Sequence, residues 1–429
     1  MNQDQPLDPN SRIESIDVIR GWALLGILVI NIWAFAQPMD MSFNPTLFET
    51  YAGADVAAFF ISWIGFEGSQ RAMFSMLFGA SIVLLTSRLA SGDRLAEARA
   101  IYYRRTWILI GFGLVDILLF LWFGDILLLY GLLGLFLYFL RNSTPKKLLI
   151  IGTTVLLLLS ALFAGISVFV DEFRETATIA QEKVLAGEKL SANEEIAVEV
   201  MDDLNLSFTA EERAELIESR SDSYTSAWMS NLPLAIEIQV QDTLYMLLWD
   251  AMGMMLLGMA LFKLGVFSAE CSFKTYWTML IIGFGVGISV NTYEMLDSMA
   301  KDYHPTYLAW TYQIGRISTA FGYIGLFMLI CKYNVLSTLR RALSAVGKMA
   351  LTNYLTQSVL CLIIFVFFGL YGELRFHEFY YVVVVIWVFQ IFFSQYWLKH
   401  FKYGPVEWLW RSLTYKRRVS NRIEASATS

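Results

Sequence analysis

An ionisable or strongly polar side chain inside an apolar run is costly to keep there, so such residues mark where chemistry belongs. Asp17 and Arg20 sit near the start of the first apolar run, and Asn31 follows the arginine by eleven positions. Arg71 lies in the second run, Asp116 deep in the third, and Asp125 precedes the fourth within FGDILLLYG. Asp250 and Arg316 fall near the middle of two later runs, while Asn353 and Gln357, four residues apart, share one helix face. A carboxylate lifted towards neutrality by burial is a general base, an Asn or Arg donor stabilises an oxyanion, and arginines hold phosphates.

Plainer readings stand beside these. Asp250 and Arg316, at similar depth, either neutralise each other or form a midplane site for solute or proton. Asp17 and Arg20 either pair one turn apart or bind lipid headgroups. Asp125 is either an N-cap or a functional carboxylate. The glycines of GFG at 111–113 and GFGVG at 283–287 neither follow a strand nor precede a lysine, so they are read as close helix contacts, within one chain or between two copies of a homodimer. His304, His377 and His400 have no metal-ligand spacing, and Cys271, Cys331 and Cys361 suit neither zinc nor a disulfide framework.

The elements that must position these groups follow from composition. Of 429 residues, 56% are hydrophobic and 16% charged, against about 45–50% and 25% for a soluble domain. A net charge of -6 leaves no cationic face for nucleic acid. A bilayer core about 30 Å thick needs about 20 mostly apolar residues per helix. Such runs occur at 16–36, 56–88, 104–122, 124–141, 147–170, 240–262, 275–295, 308–331, 349–370 and 377–399. The expectation is an all-α, polytopic protein of the cell inner (plasma) membrane, with about ten transmembrane helices in two five-helix halves, in contact with membrane lipids. The second run is interrupted at Gly65, Glu67 and Gly68, so residues 56–66 form a half-helix or re-entrant piece.

Lys and Arg gather in alternate connections, among them Arg88, Arg94, Arg99, Arg104 and Arg105, then Lys332, Arg340, Arg341 and Lys348, then the tail from Lys399 to Arg422. The positive-inside rule places these, and both termini, in the cytoplasm. The chain divides into an N-terminal membrane half (1–170), an acidic extracytoplasmic helical segment (171–231) and a C-terminal half (232–429).

The stretches RIESIDVIRGWALLGILVINIWAF, SMLFGASIVLL, FGDILLLYGLLGL, GKMALTNYLTQS and GPVEWLWRSLTY together resemble the YeiB-like family of bacterial polytopic membrane proteins over almost the whole chain. The last two are the most specific. That family is similar to a transmembrane acyltransferase superfamily whose members move an acyl group from cytoplasmic acyl-CoA to an acceptor hydroxyl or amine. The resemblance runs through Asp17, Arg20, Gly21 and Asn31; Asn31 occupies the place where polysaccharide acyltransferases carry a histidine, and 37–54 holds none. It implies acyl-CoA as co-substrate, no covalently bound cofactor, and an envelope glycan, lipid or small molecule as acceptor. On this reading Asp125 is the base with Asp116 as partner, ahead of Asp40 and Asp55, and Asn31 or Arg71 holds the oxyanion. Arg20, Arg104 and Arg105 attract the CoA phosphates, with Asp17, Asn353 and Gln357 on the same polar lining.

Overall fold

The computed structural model describes residues 13–48, 51–89, 95–204, 208–301, 303 and 309–423. Arg94, His304 and the side chain of Arg88 lie outside what is described. Among the described residues there are helices and turns but no strand beyond one bridge, Phe401 to Arg422.

In chain order the α-helices are α1 (Glu14–Ala36), α2 (Met39–Phe43), α3 (Ala54–Phe66), α4 (Ser69–Leu89), α5 (Leu95–Leu119), α6 (Leu127–Leu137), α7 (Pro145–Leu185), α8 (Ala192–Leu204), α9 (Ala210–Asp222), α10 (Tyr224–Glu237), α11 (Leu248–Lys263), α12 (Phe273–Ala300), α13 (Tyr312–Lys332), α14 (Ser337–Lys348), α15 (Ala350–Cys361), α16 (Phe379–His400) and α17 (Pro405–Tyr415). Wider π-helical turns precede α11 (Ile238–Leu247) and extend α15 (Leu362–Phe367). Starts are set by ordinary capping: Thr144 accepts Lys147 N ahead of α7, Ser272 accepts Thr275 N ahead of α12, and Pro145 and Pro405 fall in first turns where their missing N–H costs nothing.

Seven helical stretches among the described residues are long and apolar enough to cross a bilayer: Glu14–Ala36, Ala54–Ser87, Pro145–Leu185, Phe273–Ala300, Tyr312–Lys332, Ala350–Phe367 and Phe376–His400. The protein is therefore an all-α, multi-pass membrane protein. The runs expected at 104–122, 124–141 and 240–262 are not among the seven, for identifiable reasons. Helix α5 carries Glu97, Arg99, Arg104 and Arg105. The stretch Leu127–Leu140 rises only about 20 Å, short of a bilayer core. Helix α11 has only 16 residues and continues a π-helical stretch.

The interruption expected in the second run is present. Helix α3 closes on Glu67, whose N–H bonds to Ser62 and Trp63 carbonyls, and Gly68 turns the chain with φ +61°. A side chain there would strike Arg316 Cδ and Tyr312 Oη at 2.8 Å, so glycine is required both by backbone and by space.

Neither end of 171–231 is a break in the chain's helices: α7 runs on to Leu185 and α10 spans residues 224–237. This acidic segment is helical, as its composition implies, and rests on the bundle. Arg213 of α9 donates to Asp40 Oδ2 at 2.8 and 3.1 Å, and Tyr224 and Trp228 of α10 donate to the carbonyls of Leu119 and Leu118, both at 2.9 Å. Within it the Lys183 ammonium, 2.6 Å away, holds the Glu194 carboxyl down to about 2.

At the opposite end, α14 crosses α1 at a glycine contact. A methyl added to Gly347 would overlap the Asp17 carbonyl, and one added to Gly21 would overlap the Leu343 carbonyl. That crossing fixes Asp17 and Arg20 against the start of α15.

Candidate functional site

The end of the bundle that carries the arginines encloses a cavity of about 270 Å³ between α1, α4, α5, α6, α14, α15 and α17. Its mouth holds Asp17, Arg20, Arg105, Lys348, Glu407 and Arg411; its walls are Phe74, Leu77, Phe78 and Leu109; Tyr130 and Tyr354 also line it. Arg20 donates to Asp17 Oδ1 at 2.9 Å and to Ser81 Oγ at 3.4 Å, so Asp17 and Arg20 are paired and both face the cavity. Asp17 Oδ2 is buried and has no donor among the described residues.

Helix α17 forms one wall, and its start explains the two most specific sequence stretches together. Glu407 accepts Leu351 N at 2.7 Å, Thr352 N at 3.0 Å and Thr352 Oγ1, capping α15, while Thr352 Oγ1 accepts Val406 N at 3.1 Å. The carboxylate of GPVEWLWRSLTY therefore satisfies the open N–H groups of GKMALTNYLTQS. Trp410 donates its indole N–H to the Arg105 carbonyl at 2.9 Å, and the Arg105 guanidinium lies 3.5 Å from the centre of that indole.

Tyr354 is where the cavity meets a pair of buried carboxyls. Its hydroxyl accepts Trp122 Nε1 at 3.1 Å and the Ile126 N–H at 3.2 Å and lies beside the Asp125 carboxyl. Asp125 Oδ2 accepts Leu128 N at 2.8 Å, so the capping reading of this residue holds for one oxygen; the other has no donor within hydrogen-bond geometry among the described residues. Asp116 faces Asp125 from α5, with Ser358 beside it, and is fully buried, and among the described residues neither of its oxygens is bonded to a donor of good geometry. Two carboxyls meeting in this way share a proton if they hydrogen-bond at all. The turn is held from above by Gln239, which donates to the carbonyls of Phe123 and Asp125 at 2.8 and 3.0 Å.

On the Tyr130 side stands a second polar group. Tyr130 Oη meets Ser75 Oγ at 2.5 Å, and Arg71 and Arg316 lie within electrostatic range of it. Arg71 donates to Tyr312 Oη at 3.1 Å, and Tyr312 donates to Glu67 at 3.0 Å. Arg316 is locked to Asp250 at 2.9 Å and to Gln313, which also donates to Asp250 at 3.2 Å. The pairing of Asp250 with Arg316 is thus the geometry found.

The remaining sequence candidates are placed as follows. Arg104 gives its guanidinium to the Thr414 carbonyl at 2.6 Å and does not line the cavity. Asn353 and Gln357 face α16, where Asn353 donates to Ser394 at 2.9 Å and Gln357 to Gln390 at 3.1 Å. Asn31 is half-buried one helical turn before Phe35, whose ring stacks on Trp122. Asp40 is held by Arg213, and Asp55 by Arg375 and His377, both at 2.6 Å. Sequence reasoning missed Tyr354, Tyr130, Trp122, Ser75, Glu67, Gln313, Glu407, Trp410, Arg411 and Lys348. The signal for several was present in the two specific stretches, which contain Tyr354, Glu407, Trp410 and Arg411.

Fold and site together define a polytopic helical membrane protein with a cation-lined cavity and a buried carboxyl pair on either side of Tyr354. Residues 261–417 match a family described as "Protein of unknown function (DUF418)". The chain is 30% identical over 409 residues to "Uncharacterized protein YeiB" of Escherichia coli (strain K12), covering 94% of this chain and 96% of that protein. It is 30% identical over 433 residues to "Uncharacterized protein YxaH" of Bacillus subtilis (strain 168), covering 97% of each. A protein in the amylase 3' region of Bacillus acidopullulyticus is 25% identical over 438 residues, 98% of this chain and 99% of that one. No solved structure matches. The chain belongs to the YeiB-like family.

Proposed function

We propose that the protein is a plasma-membrane acyltransferase that takes an acyl group from cytoplasmic acyl-CoA and passes it to a hydroxyl or amine of an envelope glycan, lipid or small acceptor. The observation that supports this reading is the position of Tyr354, whose ring lines the cavity while its hydroxyl sits beside Asp125. In the reaction the acceptor O–H gives its proton to the Asp125 carboxylate, which Tyr354 borders. The acceptor oxygen bonds to the thioester carbonyl carbon, the carbon–sulfur bond breaks, and the proton ends on the CoA sulfur. A positioned base of this kind contributes about 10²–10⁴-fold. Asp116 is a positioning residue that keeps a proton within the pair. The test is incubation of the purified protein with acyl-labelled CoA and envelope extract: label should appear on an acceptor, with free CoA thiol in equal amount. If neither appears, the reading fails.

A transport reading draws on a different observation, the helix break at Glu67–Gly68 beside Arg71 and Arg316, because discontinuous helices often build midplane sites. Asp250→Asn should then change solute uptake or its pH dependence in proteoliposomes; an unchanged rate removes it.

A further inference from the structure

Arg105 is a cation held in place against Trp410. Its guanidinium is fixed over Trp410 at 3.5 Å and makes no hydrogen bond or ion pair among the described residues. Stacking uses the flat face and leaves the N–H edge available for a bidentate acceptor. Arg20, Lys348 and Arg411 line the same mouth, against two carboxylates, Asp17 and Glu407. Those two are engaged: Asp17 by Arg20, and Glu407 by the first N–H groups of α15. Four cations and two carboxylates thus line one partly desolvated space, where like charges held close together favour an anion among them. Beyond the mouth the walls turn apolar at Phe74, Leu77, Phe78 and Leu109. The two halves call for a ligand with an anionic head and a hydrocarbon tail.

We propose that this cavity binds a phosphate-bearing amphiphile head first, with the phosphate on the free edge of Arg105, flanked by Lys348 and Arg411, and the tail along Phe74 and Phe78. The inference deepens the acyl-transfer reading by placing the phosphate and the tail on named residues, and it rests on that reading only for calling the ligand a donor. It also separates Arg105 from Arg104, whose guanidinium is bound to the Thr414 carbonyl. Phosphate on a tail has two sources here, a soluble acyl-CoA and a phospholipid of the bilayer.

The experiment is binding to the delipidated full-length protein of four probes: palmitoyl-CoA, dioleoyl phosphatidic acid, hexadecanol and inorganic phosphate. At least one phosphate-bearing amphiphile should bind tenfold or more tightly than either hexadecanol or phosphate alone, and which of the two it is identifies the source. Arg105→Gln should weaken that binding about tenfold or more, the scale of a lost charge-assisted hydrogen bond, with Arg105→Lys in between. Equal binding of hexadecanol overturns the proposal, as does unchanged binding by a folded Arg105→Gln protein. If Arg105→Gln does not fold, the comparison of probes on the unaltered protein decides alone. Binding with these preferences but no thiol release sinks acyl transfer and leaves the site standing; acyl transfer at full rate in Arg105→Gln, with binding unchanged, does the reverse.

Discussion

The Tyr354 hydroxyl accepts the indole N–H of Trp122 at 3.1 Å, joining a helix near the arginine-rich end to the turn that carries Asp125. Because the same oxygen also accepts Ile126 N, Tyr354→Phe would leave two buried donors without acceptors. The expected cost is about 1–3 kcal/mol for each donor left unpaired. Melting of the detergent-solubilised protein should register the loss, and thiol release from acyl-CoA should fall with it. A variant with unchanged melting would show that water or another group replaces the hydroxyl.

Glu407 is expected to be a stability residue. Removing its carboxylate in Glu407→Ala uncaps Leu351 and Thr352, at a cost of about 1–2 kcal/mol. Glu407→Gln keeps one acceptor and should lose less. Equal melting temperatures for the two variants would contradict the capping account.

The α1–α14 crossing makes a sharper forecast. Gly347→Ala puts a methyl into the Asp17 carbonyl, so the helices must separate, at a cost of about 1–3 kcal/mol or more. Gly111, with no neighbouring atom in reach, is the control, and Gly111→Ala should leave melting unchanged. Comparable losses at both positions would rule out close packing as the reason for Gly347.

Asp250 and Arg316 should behave as a coupled pair. Asp250→Leu strands a buried guanidinium and is expected to cost about 3–5 kcal/mol, whereas the Asp250→Leu/Arg316→Leu double variant should recover most of it. Additive losses in a double-mutant cycle would mean that the two groups do not share one ion pair.

In the acidic segment, Glu194 is held at about 2 by Lys183, below its ordinary value of 4.5. A lowered folded-state value makes the contribution fully present above 4.5 and lost only as pH falls towards 2. Hydrogen exchange in α8, corrected for intrinsic rate, should therefore be unchanged between pH 7 and pH 5.5, and faster in Glu194→Gln at both. A drop in protection between those pH values in the unaltered protein would contradict this.

These relationships are unequally legible in the sequence. The interruption at Glu67–Gly68 is visible because a glycine beside a carboxylate is costly to carry through the middle of a continuous apolar helix. The run through 104–141 reads as two full spans because hydropathy counts apolar residues without measuring where a turn falls, and α6 is short. Asn353 and Gln357 stand out by their spacing, but their partners Ser394 and Gln390 belong to another helix and no local pattern links them. Tyr354 and Trp410 escape notice since aromatic residues at helical spacing look like core; their roles depend on one polar atom or one ring face that tertiary packing aims. Asp250 with Arg316 can be proposed as a pair from matching depth alone, and the pairing is what the fold contains.

The most direct measurement is thiol release from acyl-CoA by the purified protein and by Asp125→Asn, with acceptor-containing envelope extract present. The substitution keeps an oxygen to accept Leu128 N, so the fold should survive. The account predicts acceptor-dependent release by the unaltered protein and a loss of about 10²-fold or more in Asp125→Asn. Release that is equally fast in the folded variant would contradict it.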